Sequence, residues 1–234
     1  KYEGDEAAGM KAMEAAMAVV DAAVAHPSGR LSAMIAPSQI DTCTGDLIKA
    51  SLAAARARGL KMQIHAAQSV VEAHEMTRRH GMTPVEWLAS LGALTPDTII
   101  GHGIFLDHHS SMHWPKRDDI ATLIDSGTSV AHCPTVFLRR GIALQTFGGY
   151  LRRGVNVGIG TDTFPHNMIE EVRNALYTSR IVGEDPFDVT MAEGLRAATL
   201  GGAKALGRTD IGRIAAGAKA DLVMVDVTDP SMRP

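Results

Sequence analysis

From Leu31 to Val182 the chain alternates short apolar runs with helical stretches, and this rhythm narrows its possible folds more than any other feature. The apolar runs predict strands over Leu31–Pro37, Lys61–His65, Thr98–His102, Thr128–His132 and Val155–Gly160. Between and after them, helical spacing predicts Asp46–Arg58, Ser69–Arg79, Pro84–Leu91, Lys116–Ser126, Thr146–Arg153 and Asn167–Val182. Each strand–helix unit is roughly 30 residues, the length of a parallel crossover. Short, nearly continuous apolar strands separated by helices indicate a parallel sheet covered on both faces, an α/β fold. An amphipathic helix over Glu6–Ala25 precedes the repeat, and helical Val189–Thr199 and Ala203–Leu206 follow it. The glycine-bracketed stretch Gly212–Asp226 reads instead as a separate small β element.

Bulk properties exclude several function classes. A net charge of -3 and a pI near 6.4 give no electrostatic case for nucleic acid or an anionic membrane surface. No apolar run approaches the ~20 residues of a membrane span. The charged opening Lys1-Tyr2-Glu3-Gly4-Asp5 is not followed by the apolar stretch of a signal peptide. Cys43 and Cys133 are far apart and lack a Cys-x-x-Cys neighbour, which fits a reducing compartment, with the cytoplasm as the expected location. The expected partner is a small-molecule substrate, and the apolar stretch Ala7–Val24 leaves room for an interface between copies.

Polar, metal-competent residues fall where the apolar runs end. His65, His102, His132 and Asp162 each close or follow a predicted strand. In a parallel barrel all of these positions share one mouth. Taken singly, each has a plainer reading: a strand-end histidine as a hydrogen-bonded structural residue, and Asp162 as a turn or cap. Four such residues at consecutive strand ends indicate a shared task. His108, His109 and His113 lie in a Ser- and Asp-containing loop and read as a solvated or lid segment, and His26, His74 and His80 read as surface residues.

The order His65, then Gly101-His102, then Val130-Ala131-His132-Cys133-Pro134-Thr135, then Gly158-Ile159-Gly160-Thr161-Asp162, resembles the amidohydrolase superfamily. The likeness is greatest to its branch of cytosine/guanine deaminases and triazine hydrolases. The tail from Gly212 to Val223 resembles the segment that returns, in that family, to a β-sandwich built from both chain termini. The resemblance implies the C-terminal part of a (β/α)8 TIM-type barrel over residues 1–209, about strands four to eight, and a piece of the small β-sandwich domain over 210–234. It implies a metal-dependent hydrolase of C–N bonds, with one divalent metal, Zn²⁺ or Fe²⁺, which imidazole suits equally. By the same resemblance His65 is a metal ligand. Asp162 is a ligand that also takes a proton from the attacking water. His102 polarises the substrate carbonyl or oxyanion, and His132 stands near the substrate.

Three departures accompany the likeness. The His-x-His pair of the family's first strand does not occur, so the chain reads as a part whose remaining ligands lie in sequence ahead of it. Gln68 stands where deaminases carry a proton-shuttling glutamate; glutamine can hydrogen-bond but cannot carry the proton. Phe137 replaces a polar residue and suggests an apolar wall, to which Phe164 could add a stacking face and His166 or Asn167 a polar contact. Loop packing and a helix cap by Asn167 are the plainer alternative. Two further readings stand beside the hydrolase: a non-catalytic binding barrel that has lost the shuttle at Gln68, and an isomerase or decarboxylase on the same fold.

Overall fold

The computed structural model describes residues 5–145 and 147–228. At its centre is a four-stranded parallel sheet in the order β1 (Met62–Ala66), β2 (Thr98–His102), β3 (Ser129–His132) and β4 (Asn156–Ile159). Ten α-helices accompany it among the described residues: α1 (Glu6–Val24), α2 (Gly45–Ala57), α3 (Val70–His80), α4 (Pro84–Ser90), α5 (Asp119–Ser126), α6 (Pro134–Leu138), α7 (Phe147–Arg153), α8 (Met168–Val182), α9 (Met191–Arg196) and α10 (Gly202–Ala205). Spatial order follows sequence order, so every strand is joined to the next by a helical crossover, the geometry of an arc of a (β/α)8 barrel.

Local chemistry sets the element ends. Thr44, Ser69, Thr83 and Asn167 accept backbone N–H groups at the starts of α2, α3, α4 and α8. Asn167 is therefore the helix cap of the plainer alternative. All five residues of β2 are buried, as a sheet covered on both faces requires. Ile64, Ile100, Val130 and Val157 join Met76, Leu88, Leu123 and Tyr150 in one core, which holds the strand ends in a fixed register.

The expected strand Leu31–Pro37 is reduced to isolated parallel bridges, Ile35 to Met62 and Gln39 to His65. Proline lacks the N–H a ladder needs, and Pro37 falls between these two contacts. The expected β element Gly212–Asp226 forms no strand among the described residues, and Ile214, Val223 and Met224 are 90%, 87% and 98% exposed. A lone strand leaves its backbone polar groups unpaired, and no described strand lies beside it. The helix expected from Lys116 starts at Asp119, and the one expected from Thr146 runs over Phe147–Arg153, Thr146 lying outside the described residues. α9 does not stop near Thr199 but passes through a π-helical turn, Ala197–Gly201, into α10. The short α6 after His132 was not predicted.

Candidate active site

Parallel pairing carries the strand-end side chains to one edge. His65 is the penultimate residue of β1, His102 ends β2, His132 ends β3, and Asp162 follows β4 by three residues. The rings of His65 and His102 stack with centroids 5.2 Å apart at 18°. Gly101, the cross-strand partner of His65, makes this approach possible: a Cβ there would lie 3.0 Å from His65 Cδ2. His65 Nδ1 lies 2.6 Å from the Ser38 carbonyl oxygen. A carbonyl only accepts, so Nδ1 carries the proton and Nε2 keeps its lone pair for a ligand.

His102 is buried, and its ring meets the buried Phe137 edge-on at 4.6 Å. Burial lowers its pKa to about 4; the charge of Asp162 opposes that shift, while His65 and Arg140 reinforce it. His102 thus shares an electrostatic neighbourhood with both Asp162 and His65. His132 is driven to about 3, chiefly by burial, and its ring sits 5.3 Å from Phe147. Both are neutral imidazoles at neutral pH. Burial also pushes the Cys133 thiol up to about 12, with Asp162 and Glu171 adding to it, so it is an inert core group. Ala67, His102 and Asp162 have φ of +56°, +82° and +57°, backbone conformations that non-glycine residues rarely adopt.

The donors fit part of a metal centre. Nδ1 of His102 and Nδ1 of His132 are buried without a hydrogen-bond partner, His65 presents a free Nε2, and Asp162 is a half-buried carboxylate whose charge bears on His102. Imidazole and carboxylate suit Zn²⁺ and Fe²⁺. Among the described residues, however, no group of three or more His, Cys, Asp or Glu side chains is placed to hold an ion together.

Of the other predicted residues, Gln68 is half-buried behind β1 and Phe137 packs on His102. Phe164 is 78% exposed and stacks on the exposed His166 at 4.6 Å, so these two pair with each other outside the buried cluster. Of the loop histidines, His109 is buried with Asp107 and Phe105, so that part of the loop is packed rather than solvated, while His108 is half-buried and His113 is exposed. Asp107 and Asp119 fix it by accepting each other's backbone N–H at 2.9 Å. Sequence reasoning missed Ser38, which acts through its backbone carbonyl. It also missed the buried Glu72 and Glu171; Glu72 was signalled by the pattern Ser69-x-x-Glu72.

A parallel barrel arc bearing His65, His102 and Asp162 at its C-terminal edge is the frame of an amidohydrolase. The chain matches the amidohydrolase family over residues 5–233 and belongs to it. It is 32% identical over 229 residues to a 5-methylthioadenosine/S-adenosylhomocysteine deaminase of Moorella thermoacetica, covering 96% of this chain and 51% of that protein. A 5'-deoxyadenosine deaminase of Methanothermobacter thermautotrophicus is 32% identical, at 88% and 47% coverage. Among solved structures, a zinc-bound adenosine deaminase from Xanthomonas campestris superposes with a TM-score of 0.81 and 28% identity, over 94% of this chain and 49% of that one. A triazine hydrolase from Arthrobacter aurescens gives 0.78 and 25%, over 96% and 50%. The chain spans about half the length of the curated relatives it matches.

Proposed function

We propose that the full-length protein hydrolyses a C–N bond of an amino-substituted heterocycle, a nucleoside-like compound or a related amide. The observation that supports this reading is that His65, His102 and Asp162 stand at or just after the C-terminal ends of strands of one parallel sheet, with the His65 and His102 rings stacked and His65 Nε2 left free by the Ser38 contact. The deaminase names of the relatives support the reaction class.

His65 and Asp162 would hold a divalent metal, zinc first and iron second. When bound, that ion supplies a water acidic enough to attack at neutral pH, with a pKa of about 7 for zinc. Asp162 takes the proton released by the attacking water and passes it to the departing nitrogen. His102, kept neutral by burial, has one N–H to offer the negative charge that develops as the water adds. Phe137 closes one side of His102 against solvent, and Gln68 orients a ring substituent by hydrogen bonding. Residues 210–234 would return to the small β-sandwich domain. Gln68 favours one second reading, a binding barrel without turnover, because it cannot shuttle a proton.

The test is ammonia release by the full-length protein from a panel of 6-aminopurine nucleosides, aminotriazines and simple amides. Asp162→Asn should lower kcat by about 10²–10⁴-fold, the usual contribution of a positioned acid–base group, without loss of fold. Turnover surviving Asp162→Asn would overturn the assigned role, and a wild-type protein inert on every substrate would favour the binding barrel.

A further inference from the structure

We infer that Glu72 is a positioning residue of this site, a buried carboxyl on α3 that fixes the turn behind His65 and aims Gln68. The inference rests on the hydrolase reading and identifies how its mouth is held. Glu72 is 1% exposed. Its Oε1 accepts Ala67 N–H at 2.5 Å and its Oε2 accepts Gln68 N–H at 3.3 Å. In an ordinary capping box a glutamate at this place turns back to the N–H of the helix cap. Here Ser69 Oγ accepts Glu72 N–H at 3.1 Å, but the carboxyl reaches past Ser69 to the two preceding amides.

Those amides are the ones a bent strand end leaves unsatisfied. Ala67 is held at φ +56°. A buried N–H without a partner is costly, and one carboxyl serves both. The clamp extends to β2: the Ala67 carbonyl accepts Ile104 N–H and Phe105 N–H, each at 2.8 Å, and Ala66 O accepts Gly103 N–H at 3.1 Å. These residues follow His102 directly. Glu72 therefore acts on Gln68 by contact and on the His102 loop through Ala67. At the third strand a buried glutamate makes a single, non-local contact of related kind: Glu171 of α8 accepts Thr135 N–H at 3.1 Å, three residues beyond His132.

The experiment compares full-length wild type, Glu72→Gln, Glu72→Asp, Gln68→Ala and the Gln68→Ala/Glu72→Gln pair. Glutamine retains one acceptor oxygen and turns an NH₂ toward the second amide. Glu72→Gln should lower kcat/KM by about 10- to 100-fold, the usual cost of losing a group that orients site residues. Metal content should stay at the wild-type level, and Glu72→Asp, which keeps both oxygens, should recover part of the loss. In the Gln68→Ala background the same exchange should cost less than it does alone, because Glu72 sets the backbone from which Gln68 projects, and the loss that remains reports the Ala67 contact that Gln68→Ala leaves in place. Equal loss in both backgrounds, or no loss at all, would overturn the inference. Amide hydrogen exchange separates its failure from that of the hydrolase reading. In Glu72→Gln the Ala67 and Gln68 amides should exchange faster while those in the middle of α3 do not. If wild type shows no turnover yet these amides respond, the hydrolase reading falls and the clamp stands; unchanged exchange overturns the clamp whatever the activity.

Discussion

Ala67, His102 and Asp162 sit at positive φ where their strands end, and each lies at or beside a residue of the candidate site. Strain of this kind persists only where neighbouring groups over-determine the backbone, and Glu72 is one such group. Burial raises the Glu72 carboxyl from 4.5 to about 8, with the charge of Asp41 adding to the shift and the amide contacts opposing it. The folded chain therefore keeps a proton in that window that the unfolded chain has released. The stability this contributes is complete below pH 4.5 and is lost as pH rises through about 8. Urea unfolding of wild type and Glu72→Gln between about pH 5 and 9 should show wild type losing ground steadily as pH rises. A pH-independent difference between the two would contradict the protonated, buried carboxyl. The histidines and Asp162 were legible in the sequence because each ends an apolar run, so their direction follows from the strand. Glu72 was legible only as half of a capping box, since the φ of Ala67 that redirects it is a tertiary result. Phe164 and His166 read as a pocket wall because an aromatic follows the strand, and among the described residues they stack on each other in an exposed loop.

At the scale of elements, β4 and the turn before α10 are packed backbone to backbone. A Cβ on Gly201 would overlap the Val157 carbonyl oxygen, so the π-helical turn lies on the strand only because that residue is glycine. Gly201→Ala should destabilise the fold by about 1–3 kcal/mol, read as a lower denaturation midpoint; an unchanged midpoint would show that this contact is not fixed. Helices with a cap residue and a long apolar stripe, such as α2, α3 and α8, were readable within a few residues. Those that were not have physical reasons. α6, with 5 residues, is too short to show a period. Leu31–Pro37 has the composition of a strand, but Pro37 interrupts the ladder with β1. Gly212–Asp226 has strand composition without a described neighbour to pair with.

At the scale of the whole molecule, the β1–β4 sheet is an arc of a barrel, and the exposed apolar residues Ile169, Tyr177 and Ile181 of α8 lie on its outer helical layer. No described helix is long and apolar enough to cross a membrane. The barrel class was legible because a parallel α/β repeat with polar strand ends admits few other architectures. The completeness of the metal centre was not, because two donors on the first and last strands of an arc say nothing of what faces them. Within the described residues His65 and Asp162 are joined by no third donor, and a catalytic zinc needs about three protein ligands. The direct measurement is the metal content of the full-length protein and its His65→Ala variant after dialysis. Wild type should hold about one zinc or iron per chain, and His65→Ala should lose most of it. A wild-type protein that holds no divalent metal, or a His65→Ala variant that holds it as tightly, would overturn His65 as a metal ligand.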